Sequence, residues 1–158
     1  MQHTGTSYQD KVNYFLEQRR IAVSGLSRNK DSGAGAIYLK LRNHGYQVYP
    51  IHPSAETLHG DQCYPNVSAI PGGVDALFVM NSPEVTEQVV NEAVKLGIKH
   101  VWMHDNTLMP SSVSKAAVEN CRLHGVNVID VGCPMMFVEP DIAHKCFRWI
   151  ANLKGRLN

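Results

Sequence analysis

The sequence lacks the features that mark membrane, exported and nucleic-acid-binding proteins. No apolar run reaches the roughly eighteen residues that cross a membrane, and the opening residues, MQHTGTSYQD, contain no apolar signal-peptide segment. An excess of one charge is also missing, because 15 Lys and Arg residues stand against 14 Asp and Glu residues. Sequence-independent binding to nucleic acid requires a basic surface patch. We therefore expect a cytoplasmic protein that binds neither membranes nor nucleic acid.

Cysteine and metal-ligand patterns are equally sparse. The four cysteines are widely spaced and form no C-x-x-C pair, so we expect reduced thiols in a chain without an export signal. They are Cys63, Cys121, Cys133 and Cys146. The spacing of the histidines matches no metal-ligand signature, and we predict neither a metal site nor a catalytic set from them. The histidines considered are His52, His104 and His144.

What the sequence does have is an alternation of short apolar runs and amphipathic segments. With 44% hydrophobic residues, a chain of 158 residues can build one core on both faces of a sheet. The alternation predicts an α/β fold: a Rossmann-like, mostly parallel sheet of about five strands flanked by helices, in a single domain over residues 1–158. The predicted strands are residues 21–24, 47–51, 75–80, 99–103 and 126–131. The predicted helices are residues 8–17, 35–44, 83–96, 111–124 and an extra C-terminal helix at 141–153.

The loop after the first strand is the predicted phosphate site. In open parallel sheets, ligands bind beyond the carboxyl ends of the strands, where the strand order reverses. Gly25 allows a sharp turn and a close phosphate approach, and Gly33 exposes an amide where the next helix dipole favours an anion. Hydroxyl donors and cations accompany them: Ser27, Ser32, Arg28 and Lys30. An ordinary strand-to-helix turn is the alternative interpretation.

The absence of two nucleotide-binding motifs reduces the number of ligand classes that we expect. The loop is neither the G-x-x-x-x-G-K-[ST] of P-loop enzymes nor the dinucleotide-binding G-x-G-x-x-G. The second strand ends in YPIHP, without the Asp or Glu that holds a ribose hydroxyl in NAD enzymes. A neutral or cationic His52 instead suits a phosphorylated ribose. These features point away from NAD and toward NADP or coenzyme A.

Several short motifs occur in a fixed order within residues 17–137. They are GLS at 25–27, GYxVYPxxP at 45–53, GxxCYP at 60–65, IP at 70–71, VD at 74–75, EA at 92–93, VW at 101–102 and CP at 133–134. In this order and spacing they resemble the small, stand-alone CoA-binding proteins, which are similar to the N-terminal CoA-binding domain of the succinyl-CoA synthetase α subunit. The resemblance implies a Rossmann-like fold and coenzyme A or an acyl-CoA as ligand. The phosphates of this ligand would lie on the first loop, and its adenosine end would lie near the ends of the second and third predicted strands.

The same resemblance implies contacts at matching positions: Gly25, Leu26, Ser27, Arg28, His52, Pro53, Met80, Asn81, Ser82 and Pro83. The sequence departs from the family pattern in three places. Ala34 stands where the family has glycine, and residues 102–106 read WMHDN where the family reads W-x-Q-x-G. An extra helix also follows Cys133 and Pro134.

Three classes of function stay open at this point. The first is a CoA-binding module with no reaction of its own, and we predict no catalytic residue. The second is an NADP-dependent oxidoreductase, against which the missing G-x-G-x-x-G and the absence of a substrate domain count. The third is a nucleotide redox sensor, a regulator whose known relatives carry a DNA-binding helical domain that is missing from this sequence. A separate hypothesis places Cys133 at the crevice rim as a redox-sensitive thiol that forms a mixed disulfide with CoA; a buried, inert cysteine is the alternative.

Two further expectations concern residues outside the predicted site. Arg19 and Arg20 are predicted to form a solvated helix end. The C-terminal helix has an apolar side that we expect to pack on its own sheet or on a second copy of the chain, which favours a homodimer. That side consists of Ile142, Phe147, Trp149 and Ile150.

Overall fold

The computed structural model describes residues 6–29, 32–106, 109–138 and 142–157, which contain seven strands and five α-helices. The strands are β1 (Arg20–Ser24), β2 (Gln47–Ile51), β3 (Thr57–Leu58), β4 (Asp61–Gln62), β5 (Ala76–Val79), β6 (His100–Met103) and β7 (Asn127–Ile129). The helices are α1 (Tyr8–Leu16), α2 (Gly33–Asn43), α3 (Pro83–Lys95), α4 (Lys115–Leu123) and α5 (Ile142–Leu153). Among the described residues, no helix combines the length and the apolar character needed to cross a membrane.

Five of the strands form one parallel sheet in the order β2-β1-β5-β6-β7. The chain leaves β1 for the edge strand β2 and then returns to β5 on the other side of β1. The strand order therefore reverses between β1 and β5, which is the position where open α/β sheets bind their ligands. The predicted Rossmann-like α/β fold is confirmed.

Both faces of the sheet are covered, because successive residues of each central strand point to opposite sides. In β5, Phe78 joins the cluster that also contains residues of α1 and α2, whereas Leu77 joins the cluster with residues of α3 and α4. All four residues of β5 are buried, as the continuous apolar run predicts. On the α1 side, the ring of Phe15 meets that of Trp102 edge to face with centroids 5.3 Å apart.

Helix α4 is shorter than predicted, because the segment before it is not helical. The helix was expected from residue 111, but it begins at Lys115. Ser114 caps it by accepting a hydrogen bond from the amide of Ala117, at 3.3 Å. The hydroxyl of Ser114 also donates to a carboxylate oxygen of Glu87 at 2.6 Å, which ties α4 to α3.

A hairpin of β3 and β4 lies between the predicted strands 47–51 and 75–80, where no strand or helix was predicted. It is fixed to α2 through Asp61, whose carboxylate accepts hydrogen bonds from the Tyr38 hydroxyl at 2.5 Å and from Arg42 at 2.8 Å. Burial opposes the charge of Asp61, but these two hydrogen bonds outweigh it and lower the pKa of the carboxyl. Beyond the hairpin, the backbone of Tyr64 pairs with β2 at Ile51 and extends the carboxyl end of that edge.

The C-terminal helix is confirmed, but part of its apolar side faces solvent. Trp149 is 63% exposed and Leu153 is 68% exposed. Arg148 lies over the ring of Phe137 at 4.6 Å, and Leu157 beyond the helix is buried. The side chains of Ile142 and Phe147 lie outside the described residues. The homodimer expected through this face stays a prediction.

Arg20 corrects the expected solvated pair of arginines. It is the first residue of β1, and its guanidinium donates to the carbonyl oxygens of Gly73 at 2.9 Å and Pro71 at 2.7 Å. The same guanidinium lies 4.7 Å from the centre of the Tyr49 ring. Arg20 thereby fastens the loop that leads into β5 to the amino end of β1.

We expect Arg20→Lys to lower the free energy of unfolding by about 1 kcal/mol, because an ammonium group lacks the planar fork that reaches both carbonyls. Arg19→Lys is the matched control, since Arg19 is exposed and only lies 5.5 Å from the Tyr46 ring centre. Its effect should stay within about 0.5 kcal/mol. Urea unfolding of both variants measures the difference, and equal losses would contradict the role given to Arg20.

Candidate functional site at the strand-order reversal

A crevice of about 600 Å³ opens at the carboxyl ends of β1, β2 and β5. Its walls are residues 24–26 after β1, 51–53 at the end of β2, 80–81 after β5, Pro65, and one side of α3. It therefore straddles the strand-order reversal, where the sequence placed the ligand. Among its lining residues, no side chain is a carboxylate. An anionic ligand meets no direct repulsion from these walls.

The two loops that form the floor of the crevice are hydrogen-bonded to each other. The Met80 amide donates to the carbonyl oxygen of Ser24 at 2.8 Å. The Ser24 hydroxyl then donates to the side-chain oxygen of Asn81 at 2.5 Å. Because Ser24 is buried, this contact holds the ends of β1 and β5 in one arrangement. Met80 and Asn81 thus shape the crevice as well as line it.

Gly25 has a structural role that the sequence did not indicate. Its φ is +97°, and a Cβ atom built on it would lie 2.4 Å from the carbonyl carbon of Met80 and 2.7 Å from the amide nitrogen of Asn81. The close approach at Gly25 is therefore made by the chain's own backbone. The approach of a ligand phosphate to this loop stays a prediction.

The remaining residues of the first loop present backbone and charge to solvent. Leu26 is 5% exposed, and its side chain packs in the core, which leaves its backbone for a ligand. Ser27 and Arg28 are exposed. Lys30, also predicted as a phosphate contact, lies outside the described residues.

Helix α2 begins at Gly33, two residues earlier than predicted, because Ser32 caps it. The Ser32 hydroxyl oxygen accepts a hydrogen bond from the amide of Gly35 at 3.1 Å. The amides of Gly33 and Ala34 have no partner within the helix, as is general for a first helical turn. They can donate to an anion, and the Ser32 hydroxyl keeps its own hydrogen to donate.

His52 has one ring nitrogen committed to the chain itself. Its Nδ1 accepts hydrogen bonds from the amides of Ser54, at 3.2 Å, and Ala55, at 2.9 Å. In the neutral ring the proton is then on Nε2, which becomes a fixed donor. Pro53 follows as an exposed residue. The half-buried imidazole therefore brings a hydrogen-bond donor, and no negative charge, to the end of β2.

The start of α3 forms another wall of the crevice. Pro83 occupies the first turn, and Ser82 stands at the N-cap without making a side-chain capping bond. Ser82 is exposed, so its hydroxyl can turn toward a ligand. Sequence reasoning did not single out the α3 residues that line the crevice, although their spacing places them on one helix face. They are Val85, Gln88 and Val89.

The structure does not bring Cys133 to this crevice. Cys133 is 0% exposed and belongs to the core between the sheet and α1. The idea of a rim thiol that forms a mixed disulfide with CoA is therefore wrong for this arrangement, and the buried cysteine is confirmed. Among the described residues, no group of three or more His, Cys, Asp and Glu side chains is placed to hold a metal ion.

Comparison with known proteins gives the family. Residues 19–139 match the family described as the CoA binding domain, so the chain belongs to that family. The ADP-forming acetate–CoA ligase I of Archaeoglobus fulgidus is 23% identical over 142 residues, which cover 87% of this chain and 21% of the ligase. An ADP-forming acetate–CoA ligase of Methanocaldococcus jannaschii is 26% identical over 95 residues, 60% of this chain and 13% of the ligase. The chain thus spans about a fifth or less of the length of these relatives.

Solved structures include small proteins of similar length. A hypothetical protein from Pyrococcus horikoshii OT3 is 29% identical, with a TM-score of 0.74 and coverage of 85% of this chain and 94% of that one. A conserved hypothetical protein from Pyrococcus furiosus is 30% identical, with a TM-score of 0.63 and coverage of 72% and 93%. The apo dinucleotide forming acetyl-coenzyme A synthetase 1 of Ca. Korarchaeum cryptofilum is 27% identical, with a TM-score of 0.57 and coverage of 68% and 25%.

Gly25→Ala should lower the free energy of unfolding by at least about 2 kcal/mol, because the new methyl group adds a backbone clash to an unfavourable φ. Gly45 is the matched control: its φ is +86°, and nothing lies within 4 Å of a Cβ there. Gly45→Ala should cost only about 1 kcal/mol. Equilibrium unfolding in urea tests this, and equal costs at the two glycines would contradict the tight packing described at Gly25.

Proposed function

We propose that the chain binds coenzyme A, or an acyl thioester of it, in the crevice at the carboxyl ends of β1, β2 and β5. The observation that carries the proposal is that all the walls of the crevice belong to the region matched by the CoA binding domain family. A relative whose name states acetate–CoA ligation aligns with 87% of this chain. The crevice lies where a parallel sheet of this strand order binds nucleotide ligands.

The diphosphate of the ligand is assigned to the first loop, residues 25–35. Arg28 supplies an exposed guanidinium, and Gly33 and Ala34 supply the free amides of the first turn of α2. Backbone amides and the positive end of a helix dipole both stabilise a phosphate. Ser27 adds an exposed hydroxyl donor. Lys30 belongs to the same proposal on its sequence position.

The adenosine end is assigned to the ends of β2 and β5. The Nε2 proton of His52 is available to a phosphate on the ribose, which coenzyme A carries and NAD lacks. The apolar side of α3, with Val85 and Val89, offers a surface for the flat base. Asn81, which lines the crevice, adds an amide group, and Ser82 at the N-cap of α3 adds a hydroxyl group.

The residues of the site support the alternative functions less well than they support coenzyme A binding. An NADP-dependent oxidoreductase would also use His52 for a phosphorylated ribose, but the loop after β1 lacks G-x-G-x-x-G. A mixed disulfide with CoA needs an accessible thiol, whereas Cys133 is buried. We assign a binding role to the region shared with the ligase I of Archaeoglobus fulgidus, which is 21% of that protein, and we assign it no reaction.

Titration calorimetry should rank coenzyme A above dephospho-CoA, and dephospho-CoA above NAD. Removing the ribose phosphate takes away the group that faces His52, and a charge-assisted hydrogen bond of this kind is worth about 1.5–3 kcal/mol. NADP, which carries a ribose phosphate on a different scaffold, tests the alternative enzyme class. Tight NAD or NADP binding without coenzyme A binding would overturn the proposal.

Arg28→Glu should weaken coenzyme A binding and reduce its dependence on salt, because one favourable contact with the diphosphate becomes repulsive. Lys99→Glu is the matched control, since Lys99 is an exposed cation that precedes β6 and lies at the amino ends of the strands, away from the crevice. Calorimetry at two salt concentrations compares the variants. Equal affinities for both variants and the parent protein would place the diphosphate away from the first loop.

A further inference from the structure

A second cavity, of about 230 Å³, lies at the carboxyl ends of β6 and β7 under α5. Its apolar lining comes from Val131 and Met136 on the sheet side and from Ile150 and Ala151 of α5. It has no lining residue in common with the crevice at β1, β2 and β5. Its volume far exceeds the roughly 10–15 Å³ that holds one water molecule, so it can accept a small organic group.

The floor of this cavity is fixed by three hydrogen bonds. The carbonyl oxygen of Gly132 accepts from the Asp105 amide and from the indole nitrogen of Trp102, each at 3.2 Å. The Tyr8 hydroxyl donates to the carbonyl oxygen of Val131 at 3.0 Å. Because the Trp102 side chain is fully buried, the loop after β7 is anchored in the core. The cavity is therefore formed before any ligand enters, which lowers the entropic cost of binding.

The charged groups of the cavity do not cancel. Asp105 forms an ion pair with Arg156, which neutralises its carboxylate. Lys154 also lines the cavity and is exposed. Among the described residues, no carboxylate lies within ion-pair distance of Lys154. The cavity thus combines an apolar interior with one uncompensated cation at its edge.

We propose that this cavity binds a short aliphatic carboxylate, with its hydrocarbon part against Val131, Met136 and Ala151 and its carboxylate at Lys154. Burying the hydrocarbon part provides the hydrophobic contribution, and the ammonium group selects an acid over a neutral molecule. Asp105 does not repel such a ligand strongly, because Arg156 already compensates its charge.

The carboxylate can come from two sources. One is a free short-chain acid. The other is an acyl-CoA whose acyl group ends in a carboxylate, and this source rests on the proposed function. Along the sheet, the junction of β1 and β5 in the crevice and the junction of β6 and β7 at the second cavity are two strand spacings apart, roughly 10 Å. The flexible arm of coenzyme A that carries the thioester can cross this distance.

The first experiment is an NMR titration of the full chain with butyrate, in which backbone amide chemical shifts report binding. Butyrate should cause saturable shifts at Val131, Gly132 and Ala151. Lys154→Gln should weaken its binding about fivefold, the factor that corresponds to the loss of one weak ion pair. Ala151→Phe should abolish binding by filling the cavity. Lys145→Gln, an exposed charge on the same helix, should leave binding unchanged.

An absence of saturable shifts at these residues, or equal butyrate affinities for Lys154→Gln, Lys145→Gln and the parent protein, would overturn the proposal. The Lys154→Gln variant keeps the test decisive if Ala151→Phe disturbs α5. Tighter binding of succinyl-CoA than of coenzyme A, lost in Lys154→Gln, would identify the thioester as the source. Equal binding of these two, with butyrate still bound, would identify free acids. A chain that binds butyrate but no coenzyme A would contradict the proposed function alone.

Discussion

The contact between the loops after β1 and β5 sets the shape of the crevice. The backbone of Gly25 lies so close to that of Met80 that no side chain fits between them, and Ser24 is hydrogen-bonded to Asn81 across the same junction. The loops after these two strands lead in opposite directions, because the chain continues from β1 to β2 on one side of the sheet and from β5 to β6 on the other. The crevice forms where the loops diverge, with His52 on one side and α3 on the other.

Much of this arrangement could be predicted from hydrophobic patterning. The continuous apolar run of β5 and the capped helices on either side of it indicated a parallel α/β sheet, and a glycine after β1 indicated a turn at its carboxyl end. Patterning could not show what Gly25 packs against, because that contact joins residues more than fifty positions apart. The hairpin of β3 and β4 was also missed, since strands of two residues carry no period and are fixed by the Asp61 contacts to α2.

The carboxyl edge of the sheet carries two different chemical environments. The crevice at β1, β2 and β5 is lined by the His52 donor and by no carboxylate side chain, which suits a phosphorylated ligand. The cavity at β6 and β7 is mainly apolar and is covered by α5, which follows the region matched by the family. The alternation of the strand sequences does not indicate this cavity, because part of its wall comes from α5 and from the residues that follow it.

The central claim is that coenzyme A occupies the crevice at the strand-order reversal. An NMR titration of the full chain with coenzyme A tests it most directly, because the backbone amide signals of each crevice loop are observed separately. We expect saturable amide shifts at Gly25, Arg28, His52 and Asn81, with little change at Lys99, which precedes β6 at the amino ends of the strands. An absence of saturable shifts, or shifts confined to residues outside the crevice, would contradict it.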